Sequence, residues 1–429
     1  MRILFVRCMT AHVVCLFIAA ALMIAGVSSS AAQSDPFDLA QAGFVAKDRG
    51  DFALAIRLFN EALVRGRFEG RQKGLLLYSR GASYEVLGVP NRALSDLDAA
   101  VALLPDFANV YIYRGIVWGQ MREYERALQD FLTASKLNPN DPAILNNVGN
   151  AYQRLGDHDR AIESLGQAIR LRPDYAEAYY NRARSHAAKE DWQHAIADYS
   201  QTIALQPNFQ EAYINRSVVY LTQGDTARAL SDLNTAIKLK PTDVVALRNR
   251  ANAFVMMEKY SDALRDFDTA LALDPGNVAI YLGRGLARLY SGAVDDSIGD
   301  FTAAVRLRPS NPYPVIWLHT ARIHKGESDH AELLENAKNV KRDAWPGTLL
   351  DLYLGTIDAD SVKAAAQNGP LPETAKRDCE AKFFLGDHAL HRGDTIQARD
   401  ALREVISRCG PQEVGHSAAV AETRLFPTP

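Results

Sequence analysis

The chain has 429 residues, 48% hydrophobic and 23% charged, with a formal net charge of −3 and four cysteines. These values exclude a disordered tail, a collagen-like rod and a multi-span membrane protein. The near-neutral balance also argues against a nucleic-acid partner, which calls for a basic patch.

Residues 1–32 read as a secretory signal peptide. Arg2 and Arg7 precede an uncharged apolar run from Val13 to Val27, and Ser30 and Ala32 fill the two small positions before a cleavage site at Gln33. An uncleaved anchor is the alternative, and it is the only way this sequence provides for membrane attachment. Cys15 precedes the apolar run, so it is not placed for lipid attachment. Cleavage removes Arg2, Arg7, Cys8 and Cys15, which takes the net charge from −3 to −5 and leaves Cys379 and Cys409. The expected location is periplasmic or secreted, and there an even pair of cysteines is expected to form one disulfide.

From residue 36 the chain is dominated by a repeat. Prolines stand at 105, 139, 173, 207, 241, 275 and 309, each 34 residues after the last. With the proline as position 32, repeats begin at Gly74, Ala108, Pro142, Ala176, Gln210, Val244 and Val278. Position 8 is always small (Gly81, Gly115, Gly149, Ala183, Ser217, Ala251, Gly285), and so is position 20 (Ala93 through Ala263, then Ser297). Two small positions let a helix pair approach closely, and large residues at positions 4, 11 and 24 fill the rest of the core. His186 and Arg288 depart from the aromatic preference at position 11.

A 34-residue period with this pattern is that of the tetratricopeptide repeat (TPR). The resemblance implies an all-α fold, a right-handed TPR superhelix (α-solenoid) of antiparallel helix pairs. The expected organisation is an array over 36–311, with one irregular repeat before the seven regular ones that start at 74. Residues 312–429 then form a degenerate repeat and a C-terminal helical segment. About four residues around Gly66 to Lys73 read as an insertion.

The repeats expose a paired substitution. Arginine holds position 7 in Arg80, Arg114, Arg182, Arg216, Arg250 and Arg284, and the same repeats carry Asp96, Asp130, Asp198, Asp232, Asp266 and Asp300 at position 23. The repeat from Pro142 has neither, with Val148 and Ser164 instead. A partly buried, bidentate ion pair joining the two helices of a unit explains both facts, and arginine's fork suits it where lysine would not. Six ligand-binding arginines are the alternative.

Position 6 carries Asn147, Asn181, Asn215 and Asn249. On the concave face of a solenoid this row offers amide donors and acceptors to the backbone of an extended peptide. It resembles the asparagine ladder in the TPR arm of O-GlcNAc transferase, although asparagine is also a common consensus residue there. Asn150, Asn252, Tyr180, Arg184 and Arg248 are expected nearby. No repeat pairs a lysine at position 5 with an asparagine at position 9, so a clamp for a chaperone C-terminus is not expected.

Beyond Pro309 the chain reads Val315-Ile316-Trp317-Leu318, Asp343-Ala344-Trp345-Pro346, Leu352-Tyr353-Leu354-Gly355 and Cys379 to Gly386, then His391-Arg392-Gly393-Asp394. This order resembles the C-terminal half of the NlpI-type periplasmic TPR lipoproteins. The resemblance implies an adaptor that docks cell-wall (peptidoglycan) hydrolases and a processing protease. Helices around Cys379–Leu390 and Asp394–Arg408 would bring both cysteines to the open end of a hairpin turning at Gly393.

No catalytic fingerprint is found: there is no nucleophile elbow, P-loop or dinucleotide motif. His388, His391, Asp387 and Asp394 lack the spacing of a zinc site and read as solvated surface, so no metal and no cofactor are expected. The sequence therefore points to a non-enzymatic scaffold that binds protein or extended peptide. The rival is an accessory module that contacts carbohydrate through groove tyrosines and arginines.

Overall fold

A computed structural model describes residues 35–410 and 414–423, so the expected signal peptide lies outside the described residues. The structure is helical throughout these residues and divides after Gln206 into two compact units.

The first unit is built of five helix pairs. They are α1 (Pro36–Asp48) with α2 (Phe52–Arg65), α3 (Gly70–Val86) with α4 (Pro90–Leu103), and α5 (Ala108–Gln120) with α6 (Tyr124–Leu137). Next come α7 (Pro142–Arg154) with α8 (His158–Leu171), and α9 (Ala176–Ala188) with α10 (Trp192–Leu205). The second unit continues the pairing with α11 (Gln210–Thr222) and α12 (Thr226–Leu239), α13 (Val244–Met256) and α14 (Tyr260–Leu273), and α15 (Val278–Tyr290) and α16 (Val294–Leu307). After α17 (Pro312–His324) the regular pattern ends. The short helices α18 (His330–Ala337), α19 (Thr348–Tyr353) and α20 (Ala359–Ala366) lead to a hairpin of α21 (Leu371–His391) and α22 (Thr395–Arg408), followed by α23 (Val414–Glu422). None of the described helices is long and apolar enough to cross a membrane.

Helix starts follow the 34-residue grid: α5, α7, α9, α11, α13, α15 and α17 each begin at position 1 of their repeat. Local chemistry explains this. Asp141, Asp243 and Asn311 cap first helices, and Asp157, Asp191 and Asp225 cap second helices, each accepting a backbone N–H with its side chain. One expectation is corrected. Helix α3 begins at Gly70 rather than Gly74, so part of the stretch read as an insertion is its first turn.

Every first helix from α3 to α17 ends on a residue with positive φ at position 15. Five are glycines (Gly88, Gly156, Gly224, Gly292, Gly326), but Arg122, Glu190 and Glu258 adopt φ of 66°, 59° and 59°. The turn imposes this left-handed conformation whatever residue stands there, and a non-glycine residue is strained by it.

The small residue at position 8 makes room for position 24 of the same pair. A Cβ on Gly149 would lie 2.5 Å from Leu165 Cγ, and one on Gly285 would lie 2.5 Å from Phe301 Cε1. The ring or branched chain therefore sits on the backbone of the facing helix. Phe131, Leu165, Phe267 and Phe301 are fully buried, as are the position-20 alanines Ala161, Ala195, Ala229 and Ala263.

The C-terminal segment has a different core. Trp317 of α17 packs on Phe383 and Phe384 of α21 with ring centroids 5.6 and 5.3 Å apart, and Leu349, Leu350 and Val362 are buried alongside. A disulfide joins Cys379 to Cys409 across the open end of the α21–α22 hairpin, with Cα atoms 5.9 Å apart.

Candidate functional site

The six position-7 arginines meet the six position-23 aspartates in one geometry. Nε and Nη2 of Arg182 donate to Asp198 at 2.7 and 2.8 Å, and the other five pairs repeat the two-point contact over 2.5–3.0 Å. Each fork joins the two helices of its own pair. The hydrogen bond to Asp198 holds the Arg182 guanidinium above its ordinary pKa, against the opposing pull of burial. The position-4 tyrosines lie beside these forks: Arg114, Arg182 and Arg284 sit 5.8, 5.6 and 5.8 Å from the ring centroids of Tyr111, Tyr179 and Tyr281.

Sequence reasoning missed the third arm of the fork. Nη1 of Arg80, Arg114, Arg250 and Arg284 donates to Asn60, Asp98, Asn234 and Asp268 at 2.7, 2.9, 2.8 and 2.6 Å. These acceptors stand at position 25 of the preceding repeat, so one arginine ties three helices together. The signal was present as recurrent Asn or Asp at that position. For Arg182 the corresponding residue is Gly166, whose Cα offers no acceptor.

The position-6 asparagines are not equivalent. In the first unit Asn147, Asn150 and Asn181 are buried, together with Asn146 and Gln153. Asn181 Nδ2 donates to Asn146 Oδ1 at 2.9 Å, and Gln153 Nε2 donates to the Asn181 carbonyl at 3.0 Å and to Ser185 Oγ at 2.9 Å. These bonds link α7 to α9. Four other atoms of the cluster, Asn146 Nδ2, Asn147 Oδ1, Asn150 Oδ1 and Gln153 Oε1, have no hydrogen-bond partner. This unsatisfied amide face belongs to the one regular repeat that lacks the Arg–Asp pair. Nearby, Tyr180 is half-buried with the Arg184 guanidinium 5.9 Å from its ring.

In the second unit Asn215 and Asn249 are half-buried and Asn252 is exposed. Arg248 Nη2 donates to Asn249 Oδ1 at 3.4 Å. The position-6 row is thus buried on α7 and α9 and more open on α11 and α13.

The C-terminal histidines require a correction. They were expected at the solvated surface, but Asp387 is fully buried and His388 and His391 are half-buried or more, because α21 is covered by α17, α19 and α23. Asp387 and His391 lie beside His324 of α17 and Glu422 of α23. Burial and the neighbouring Asp387 carboxylate push Glu422 up to about 8. Asp394 alone fits the expectation, exposed as the cap of α22.

Family models match the repeat array. The family described as TPR repeat matches residues 120–156 and 149–189, and the family described as tetratricopeptide repeat matches 180–244 and 248–312. Among solved structures, a tetratricopeptide repeat protein from Parabacteroides merdae aligns at 18% identity and a TM-score of 0.49, over 59% of this chain and 98% of its own. YrrB, described as a TPR protein with an unusual peptide-binding site, aligns at 19% identity and 0.38, over 43% and 95%. MamA aligns at 25% identity and 0.36, over 39% and 92%. No curated protein matches the chain. Repeat period, paired helices and family matches over 120–312 agree: this chain is a tetratricopeptide repeat protein.

Proposed function

We propose that the protein is an exported, non-catalytic scaffold that holds an extended peptide segment of a partner protein against the first helices of its repeats. The observation that carries this reading is the position-6 row where it opens to solvent, with Asn249 half-buried on α13 and Asn252 exposed one turn further on. Accessible amides on the first helices match the alternating donors and acceptors of a peptide backbone. Export is supported by the signal-like residues 1–32 and by the Cys379–Cys409 disulfide, a bond at home in an oxidising compartment. The NlpI-like order of motifs after residue 312 favours a cell-wall hydrolase or a processing protease as partner. A glycan-binding role gains less support, because the position-4 tyrosine rings already lie beside the structural arginines.

The test is a comparison of Asn249→Leu with the native chain. Photo-crosslinking from position 252 in intact cells should trap a periplasmic protein in the native chain and lose it in the variant, with helical circular dichroism unchanged. A folded variant that traps the same protein at the same yield would refute the assignment of this face.

A further inference from the structure

We infer that the C-terminal segment binds a divalent metal ion of the zinc class between His324, Asp387 and His391, with the Glu422 carboxylate beside His324. The groups come from three helices, α17, α21 and α23. Asp387 and His391 lie one turn apart on the same face of α21. His391 Nδ1 is 3.4 Å and His324 Nε2 is 3.8 Å from Asp387 Oδ1, and Glu422 Oε1 is 3.8 Å from His324 Nε2. A tetrahedral zinc ion with bonds of about 2.1 Å sets neighbouring donor atoms about 3.4 Å apart. The observed separations suit donors that share a cation, and the 3.8 Å contacts are too long for hydrogen bonds.

The state of the donor atoms points the same way. His324 Nε2, His391 Nδ1, Asp387 Oδ1 and both Glu422 oxygens have no hydrogen-bond partner. Asp387 is 0% and Glu422 1% exposed, and among the described residues neither pairs with a lysine or arginine. Two buried carboxylates with open lone pairs facing two imidazole nitrogens form a strongly unfavourable group without a cation. The mixed nitrogen and oxygen set selects zinc and its neighbours over calcium or magnesium, which take oxygen ligands.

A second shell is in place. Tyr353 Oη donates to Asp387 Oδ2 at 2.6 Å, which occupies that oxygen and leaves Oδ1 toward the imidazoles. Two other groups serve as internal controls. Glu380, also buried on α21, has a donor for each oxygen, Tyr313 Oη at 2.8 Å and Trp345 Nε1 at 2.7 Å. His186, Asp191 and His194 also lie together, but there both imidazoles already hydrogen-bond Asp191 at 2.8–3.0 Å. Three protein ligands hold the ion, which fastens α17 to α21, and the Glu422 carboxylate of α23 lies close enough to His324 to balance its charge.

The experiment uses the full-length protein, stripped with EDTA and titrated with zinc or cobalt(II), and read by elemental analysis, visible absorption and melting. One zinc per chain, four-coordinate cobalt absorption and a raised melting temperature are expected. His391→Ala should abolish binding, and Tyr353→Phe should weaken it about 10- to 100-fold. Should His391→Ala fail to fold, Asp387→Asn tests the same point by weakening zinc binding at least about 10-fold with unchanged helical circular dichroism. His186→Ala should leave the stoichiometry at one. The inference is overturned if the stripped chain takes up no zinc and melts as before, which is the behaviour of an imidazolium simply bridging two carboxylates. Undiminished binding in folded His391→Ala, undiminished binding in folded Asp387→Asn, or loss of the ion in His186→Ala would overturn it equally.

Discussion

The repeats and the C-terminal segment handle buried carboxylates in opposite ways. In the repeats each position-23 aspartate receives both ends of an arginine fork, and Asp300 receives a second guanidinium from Arg288 at 2.7 Å. In the C-terminal segment Asp387 and Glu422 face imidazoles at 3.4–3.8 Å and no guanidinium. The difference teaches how each region keeps its helices together. A repeat uses a local link that can be copied every 34 residues, whereas the irregular segment relies on single ties between residues far apart in sequence.

Four measurements can break or sharpen this contrast. The largest effect is expected from Asp198→Ala, which leaves the Arg182 guanidinium, 25% exposed, without its partner; a loss of about 4 kcal/mol follows from breaking a buried pair. In urea melts with local probes the damage should centre on α9 and α10, and uniform loss over the first unit would contradict a local link. Reducing the Cys379–Cys409 disulfide opens a loop with a sequence separation of 30, worth about 3.6 kcal/mol in the chain-entropy account. Limited proteolysis should then cut near α21 to α23 and spare the repeats. Next, Ala195→Leu overpacks a fully buried position, and a cost of about 1–3 kcal/mol should appear in thermal unfolding. The smallest effect is favourable: Glu190→Gly relieves a φ of 59° and should stabilise by about 1 kcal/mol in the same melts.

How much was legible in the sequence follows from the same contrast. Periodicity makes a chain its own alignment, so the helix starts at Ala108, Pro142 and Ala176 and the six Arg–Asp links could be read without a structure. The third contact of the fork was written at position 25, in Asn60, Asp98, Asn234 and Asp268, but its meaning depends on how neighbouring units stack. Asn147 and Asn150 looked like surface donors because their position, not their burial, is periodic. His324, Asp387, His391 and Glu422 share no spacing rule. They meet because α17, α21 and α23 fold around Trp317 and the two phenylalanines, and only tertiary structure brings them together.

The helix pair α7–α8 has a dynamic consequence. Val148 and Ser164 replace its ion pair, Gly166 gives Arg182 no acceptor, and its amides are left with open hydrogen-bonding capacity. Global stability in such a chain is shared out among neighbours, while local opening follows the weakest seam. Backbone hydrogens of α8 should therefore exchange with solvent sooner than those of α6 or α10, making this pair the place where the first unit breathes.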